Sequence, residues 1–276
     1  MQRFEDTLEV EFKFVPQEAE SAAVARLAHL FAPEYGFAKW PPCANFDIYL
    51  DTPDMLFHRA DTPLRLRRWA TPYKLKEGIS ANFKCPPEAD DALPAIRPGL
   101  WRREIKTVLS ESEAREVFSG SVVGETLHYA AARSGLDANG PSGLRPRIMI
   151  ATQQSLYALR PSANADRIGL QRGKLSSLLL LTFERCTIQE VPADEDLRVL
   201  RNGMFDVDPD SQVVELYEAE LEIVAAKEHF SQAVSLYLRA HDAIRESGAE
   251  MPTRSKYSVA VDALKLCEPS LTRCGA

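Results

Sequence analysis

The chain has 276 residues, of which 45% are hydrophobic, and its formal net charge is −7. This hydrophobic content supplies a sizeable core and excludes a disordered protein, while the length allows one large β-rich domain or two smaller ones. The negative charge argues against a general nucleic-acid-binding surface, so we expect no nucleic-acid partner, although a local basic channel is compatible with it.

Cysteine use indicates a reducing environment. The five cysteines form no C-x-x-C pair and their number is odd, which disfavours both a disulfide framework and a zinc site. Residues 1–6 contain no apolar run typical of a signal peptide, and the apolar stretch at 175–183 is too short to span a bilayer. We therefore expect a cytoplasmic protein without a membrane partner.

The first predicted element is a strand at residues 8–15, which Pro16 ends. Charged and apolar residues alternate along it, and a strand points successive side chains to opposite faces. One face therefore carries the charged residues Glu9, Glu11 and Lys13. A single face of this kind is usually a solvated strand face, so the pattern gains weight only because it recurs.

Further along the chain, an amphipathic helix is predicted at residues 18–31. Alternating or strongly apolar stretches then predict a series of strands. These strands cover residues 45–51, 63–69, 79–85, 100–107, 144–159, 175–190 and 213–224, which with the first makes eight.

Helices and loops are predicted between and after these strands. A capping box at residues 110–113 opens helix-like sequence that continues, with a break near Gly120, to Ser134. A later helix covers residues 225–246 and is closed by Gly248. The segment 253–266 begins extended and becomes helical, and loops are predicted at 86–98, 135–143, 160–168 and 191–212.

The charge pattern itself predicts how the strands assemble. Like charges at every second residue repel one another on a flat sheet. They become favourable where acidic and basic strands face each other across a closed barrel, around a metal ion and a polyanion. We therefore predict one domain over residues 1–276, with a β-rich α+β fold. Its core would be an eight-stranded antiparallel barrel that encloses a tunnel, with helices packed outside.

Such a tunnel would be lined by both signs of charge. Its basic set would be Lys13, Arg65, Arg67, Lys84, Arg145, Arg147 and Lys256. Its acidic set would be Glu9, Glu11, Glu104, Glu220 and Glu222, with Glu184 and Glu218 as further candidates. Burying this many charges is costly unless they are paired or ligated, so the tunnel is predicted to bind a charged ligand.

A chain of phosphates together with a divalent metal fits both sets. Arginine binds phosphate oxygens through its planar fork, and lysine supplies a point charge. Glutamates cannot bind phosphate directly, but they can hold Mg²⁺ or Mn²⁺, which bridge to phosphate oxygens and polarise an attacking water. The histidines and cysteines show no metal-ligand spacing, so zinc is disfavoured.

These residues resemble the CYTH superfamily, the triphosphate tunnel metalloenzymes. The segment Glu9–Lys13 matches the family's ExExK signature, and further motifs follow in the family's order as far as residue 260. They are Tyr49–Asp54 (Y-x-DTPD), Leu64–Arg67 (LRLR), Asn82–Lys84, Arg102–Glu104, Arg145 with Arg147, Glu220–Glu222 (ElE) and Ser255–Tyr257 (SKY). Where many members carry an aspartate near residue 180, this chain has Glu184.

The resemblance implies a tunnel that binds a triphosphate end-on with Mg²⁺ or Mn²⁺ and hydrolyses a phosphoanhydride bond. Catalysis would fall to Glu9, Glu11, Lys13 and Glu222. The metal would be held by Glu9, Glu11, Glu104, Glu220 and Glu222. The phosphates would be bound by Lys13, Arg65, Arg67, Lys84, Arg145, Arg147 and Lys256.

Several substrates and one non-enzymatic function are compatible with this set. The leading hypothesis is hydrolysis of inorganic triphosphate by a monomer or homodimer. Thiamine triphosphate, a nucleoside triphosphate and cyclisation of ATP are alternatives, and each would need a recognition pocket at a tunnel mouth, for which Trp40, Trp69, Tyr73 and Trp101 are candidates. A polyphosphate- or nucleotide-binding module without turnover is the alternative from another class, although it would gain little from glutamates facing the ligand.

Overall fold

The computed structural model describes residues 4–70, 78–87, 101–118, 123–135, 144–162, 177–191 and 213–266. Eight strands lie in these ranges: β1 Phe4–Phe14, β2 Tyr35–Asp51, β3 Leu64–Ala70, β4 Gly78–Cys85, β5 Trp101–Leu109, β6 Arg145–Pro161, β7 Leu179–Glu190 and β8 Val213–Ile223. The predicted break near Gly120 and most of the loops predicted at 86–98, 135–143, 160–168 and 191–212 lie outside the described residues.

The strands close into one antiparallel barrel in the order β1-β5-β4-β3-β2-β6-β7-β8, which confirms the predicted fold class. Closure depends on β1, because its first half pairs with β5 and its second half with β8. Glu9 lies opposite Arg102 in the first ladder, and Lys13 lies opposite Glu220 in the second. The strand with the ExExK pattern therefore joins the two edges of the sheet.

Helices pack around this barrel and, in the case of the last one, into one of its ends. They are α1 Glu20–Phe31, α2 Leu56–Arg59, α3 Glu111–Phe118, α4 Glu125–Arg133, α5 Phe230–Glu246 after a 3₁₀ turn at Lys227–His229, and α6 Lys256–Ala263. The predicted capping box is present at α3: the Ser110 hydroxyl accepts from the Glu113 amide at 3.2 Å, and the Glu113 carboxylate accepts from the Ser110 amide at 2.6 Å. No helix in the described ranges is long and apolar enough to cross a membrane.

Two apolar layers separate the barrel from the helices. Outward-facing Val10, Phe12 and Phe14 of β1 pack with α1 and α5. On the other side, outward-facing Leu64 and Leu66 of β3 pack with α3 and α4. Because strand side chains alternate, placing these residues outward turns the intervening charged residues towards the barrel axis.

One end of the barrel interior is filled by α6. Its Tyr257 ring stacks on inward-facing Tyr49 with centroids 5.0 Å apart and planes within 5° of parallel. The Tyr257 hydroxyl donates to buried Asp51 at 2.8 Å, and the same carboxylate accepts backbone amides of Phe57 and His58. The Y-x-DTPD and SKY segments therefore meet in one contact that fixes this plug.

Strand β2 is longer than the sequence predicted. It begins at Tyr35 rather than at residue 45, and its ladder with β6 shifts register between Trp40 and Cys43. The two residues inside this irregularity are Pro41 and Pro42, which have no backbone N–H to donate. A proline pair argues against a strand, but a bulge accommodates it.

Candidate active site

The barrel interior encloses a cavity of about 460 Å³ that inward-facing side chains from all eight strands line. Most of these side chains are charged or polar. The cavity continues towards the segment between α5 and α6, where Met251 to Lys256 and His241 contribute to its wall. The predicted polar tunnel is thus present as a space walled by both signs of charge.

Two ammonium groups, that of partly buried Lys13 and that of buried Lys256, lie among carboxylates from β7 and β8. Lys13 contacts Glu220 at 2.6 Å and Glu218 at 3.4 Å. Lys256 contacts Glu218 at 3.1 Å and also Glu184. The pKa of both lysines is raised, because the surrounding carboxylates outweigh the opposing effect of burial. Both lysines therefore stay charged inside the barrel.

A second set of ion pairs joins β1, β3, β4 and β5. The Lys84 ammonium contacts Glu9 at 2.5 Å and Glu11 at 3.1 Å. The Arg65 guanidinium lies 3.4 Å from Glu104, which also accepts a hydrogen bond from the Asn82 amide at 3.1 Å. An anionic ligand that binds Lys84 and Arg65 must therefore compete with these carboxylates.

The structure adds Asp47, which the sequence analysis missed. Its carboxylate is fully buried and accepts two hydrogen bonds from Arg67, each 2.7 Å long, with Arg65 3.5 Å away. Burial would raise its pKa, but the two arginines outweigh that effect and lower it to about 2. The alternation on β2, which places Asn45, Asp47 and Tyr49 on one face, was the signal that could have found it.

The carboxylates differ in how fully they are compensated. Burial raises the pKa of Glu9 to about 7. Lys84 opposes this shift, and the neighbouring Glu104 and Glu11 add to it. Burial and the charges of Glu9 and Glu11 likewise hold the pKa of Glu222 well above its usual range. For Glu104, Lys84 and Arg65 outweigh burial and lower the pKa to about 2. Nearby positive charge therefore does not fully compensate the carboxylates of Glu9 and Glu222.

The structure does not bring Arg145 and Arg147 into the cavity. Arg145 is exposed, and Arg147 donates to the Thr52 carbonyl at 3.0 Å. Inward positions at this level of β6 belong to Ile148 and Ile150, which pack against α6. Arg145 and Arg147 lie on the opposite, outward face of β6, because the inward face packs against the apolar side chains of α6. The other predicted residues all line the cavity, and Glu218 is buried beside it.

Polar residues outside the predicted ligand sets hold carboxylates in place. The Gln154 side-chain amide donates to Glu184 at 2.5 Å, while its carbonyl oxygen accepts from Asn45 at 2.9 Å. Arg102 lines the cavity near the α5–α6 segment and pairs with Asp61 at 2.7 Å. Their contribution follows from strand register, which spacing along the sequence alone does not reveal.

The aromatic candidates for base or thiamine recognition take other positions. Trp101 is buried in the outer layer with α1 and α5. Trp40 has the Arg160 guanidinium 5.7 Å from its ring centroid and is not among the described residues that line the cavity. The Trp69 side chain and Tyr73 lie outside the described residues.

The donor chemistry of the site suits a hard divalent cation. Carboxylate oxygens of Glu184, Glu218 and Glu220 lie within 4.8 Å of one another. Glu11 and Glu222 are direct partners across the β1–β8 ladder, and Glu9 lies two residues from Glu11 on the same face. Oxygen-only ligand sets of this kind fit Mg²⁺ or Mn²⁺ better than zinc.

Comparison with known proteins identifies the family of this chain. Residues 7–173 match the family model described as CYTH domain. No curated protein matches the chain. Similar solved structures include a Bacillus halodurans protein provisionally assigned as an adenylate cyclase, which is 14% identical, with 92% of this chain and 97% of that chain covered and a TM-score of 0.47.

Two further solved structures have similar scores. A Hippeastrum protein, provisionally assigned as an adenylyl cyclase and reported to have dominant triphosphatase activity, is 14% identical; the match covers 92% of this chain and 96% of that chain, with a TM-score of 0.46. A Pyrococcus horikoshii OT3 protein is 15% identical; the match covers 92% of this chain and 99% of that chain, with a TM-score of 0.45.

Proposed function

Because this chain belongs to the CYTH domain family, we propose that it is a metal-dependent triphosphatase that hydrolyses a phosphoanhydride bond of inorganic triphosphate. The observation that carries the proposal is the enclosed cavity, in which arginines and lysines face glutamates. Basic groups alone would suffice to bind a polyanion. The opposing glutamates favour turnover, because they can hold a cation and orient water.

The basic residues would bind the phosphates. Arg65 and Arg67 project from β3 with planar forks that suit bidentate contacts to phosphate oxygens. Lys13 and Lys84 approach from β1 and β4 as point charges. All four are paired with carboxylates before the ligand binds, so the site is assembled in advance.

Glu9, Glu11 and Glu222 would hold Mg²⁺ or Mn²⁺, with Glu104 beside Glu9 as a further ligand. The bound ion would supply charge neutralisation at the phosphates and lower the pKa of the attacking water. Glu220, also a metal candidate from the sequence, would instead orient this water. Burial would raise the Glu220 pKa, but Lys13 and Lys256 lower it, so the carboxylate stays ionised and accepts a hydrogen bond.

The described cavity favours a substrate without an aromatic group. Within the described ranges, its aromatic lining residues are Phe12, Tyr49 and His241. Tyr49 is stacked on Tyr257, and Phe12 packs edge-on against His241 and Tyr237. These rings are committed to packing, which supports inorganic triphosphate over a nucleotide or thiamine triphosphate.

A phosphate-release panel tests the proposal. Inorganic triphosphate, ATP, thiamine triphosphate and pyrophosphate are each offered with Mg²⁺ and with Mn²⁺, and cyclic AMP is measured for ATP. We expect the highest kcat/KM with inorganic triphosphate. Cyclic AMP formation would show a cyclase, and binding without phosphate release would show a polyphosphate-binding module.

A further inference from the structure

The cavity carboxylates form two groups that differ in their access to positive charge. The acidic trio is Glu184, Glu218 and Glu220. The acidic quartet is Glu9, Glu11, Glu104 and Glu222. Both groups offer only oxygen ligands, so geometry and charge balance decide which of them takes a divalent ion.

Two ammonium groups already occupy the acidic trio. Lys256 contacts Glu184 and Glu218, the latter at 3.1 Å. Lys13 contacts Glu220 at 2.6 Å and Glu218 at 3.4 Å. Every carboxylate of the trio therefore has an ammonium contact, and Glu218 has two. A divalent ion at this point would have to displace both lysines into the remaining cavity.

The position of Lys256 makes such displacement unfavourable. It is the first residue of α6 and is 5% exposed, and the next residue, Tyr257, is fully buried in the plug. The Ser255 hydroxyl caps the helix by accepting from the Ser258 amide at 3.1 Å. The ammonium group is thus fixed by the docking of a helix rather than by a mobile side chain alone.

The acidic quartet is less well compensated. Lys84 contacts Glu9 and Glu11, and Arg65 contacts Glu104 but is shared with Asp47. Glu222 forms no ion pair with a lysine or arginine in the described part of the chain, and it lies opposite Glu11 in the ladder. Four carboxylates thus share one lysine and part of one arginine, which leaves room for added positive charge.

We propose that Lys256, together with Lys13, fills the acidic trio as a built-in cation. The protein consequently binds a single divalent ion, at the acidic quartet, before triphosphate arrives. This proposal takes only the class of ion, Mg²⁺ or Mn²⁺, from the proposed function. Removing the Lys256 charge while keeping its length would open the trio to a second ion, because its three carboxylates would then share the single ammonium of Lys13.

Counting bound Mn²⁺ without triphosphate tests this inference independently of turnover. Equilibrium dialysis with Mn²⁺ detected by electron paramagnetic resonance gives the number of ions per chain. We expect one ion for the unmodified protein, two for Lys256→Met, and one for the matched control Lys227→Met, whose lysine is exposed on the 3₁₀ turn. Two ions in the unmodified protein, or one in a folded Lys256→Met variant, would overturn the proposal.

A second pair of variants covers the case in which Lys256→Met does not fold. Glu218→Gln removes a carboxylate from the trio and should leave one ion bound, whereas Glu222→Gln should abolish binding of that ion. Loss of an ion in Glu218→Gln would place metal in the trio and refute the proposal. Phosphate release is scored separately, so a protein that hydrolyses triphosphate but binds two ions refutes this inference alone.

Discussion

Glu11 and Glu222 lie directly opposite each other on β1 and β8, the two strands that close the barrel on this side. Carboxylates in register on neighbouring strands repel, and the position contributes to the raised pKa of Glu222. A barrel that only needed to fold would gain from one neutral partner. The proposed cation, shared by both carboxylates, would offset this repulsion.

Replacing Glu222 by glutamine should separate stability from function. The variant loses a like-charge contact, so we expect the metal-free protein to gain up to about 1 kcal/mol of unfolding free energy. Turnover should fall at least about 100-fold, equivalent to roughly 3 kcal/mol of transition-state stabilisation. Urea unfolding in chelator and phosphate release with Mn²⁺ measure the two effects. The control is Glu215→Gln on the same strand, which is exposed and should change neither.

A double variant should separate two roles of Arg67, which are to neutralise Asp47 and to bind triphosphate. Arg67→Met leaves a buried carboxylate without its main partner, which costs about 3–5 kcal/mol of stability. Adding Asp47→Asn should restore most of that loss, while KM for triphosphate stays raised because the guanidinium fork is missing. Recovery of both stability and KM in the double variant would mean that Arg67 only neutralises Asp47.

Arg145→Ala tests the outward position of the β6 arginines. Its side chain is exposed and does not line the cavity, so KM for triphosphate should stay within about twofold of the original value and stability should change by less than about 0.5 kcal/mol. A large rise in KM would instead show that triphosphate reaches this end of β6.

The metal-free protein should lose stability as pH rises from 5 to 7.5. The Glu9 pKa is about 7 in the folded state against an ordinary value of 4.5, so the folded state binds this proton more tightly than the unfolded state. The resulting stabilisation is complete below the unfolded pKa and is lost as pH rises through 7, by up to about 3 kcal/mol. Urea unfolding in chelator at both pH values measures the change, and Glu9→Gln should reduce it, leaving the part contributed by Glu222, whose pKa is also raised. A pH-independent unfolding free energy in the unmodified protein would contradict the expectation.

The barrel and most of its lining could be predicted from the sequence, because on a closed sheet the alternation of apolar and charged residues determines which side chains face inward. Once Val10 and Leu64 face the outer layers, Glu9 and Arg65 must face inward. The same rule failed on β6, where arginines and isoleucines alternate equally well. Only the plug helix determines which set is inside, and its docking site is distant in sequence.

Other parts of the site depend on register, which alternation does not fix. Asp47 becomes important because it lies opposite Arg67, and Gln154 because it lies opposite Glu184. The early start of β2 was hidden by Pro41 and Pro42, since a bulge that tolerates prolines has no simple sequence pattern.

Because Lys256 neutralises the acidic trio from the far end of the chain, the order of synthesis matters for folding. Lys256 and Lys13 are 243 positions apart in the numbering, yet both contact Glu218. During translation, all eight strands emerge before the residue that compensates Glu184. Nascent chains stalled before α6 should therefore hold a protease-sensitive barrel with one end unfilled, and protease resistance should follow docking of the last helix. Protease resistance of a chain stalled at residue 250 would contradict this folding order.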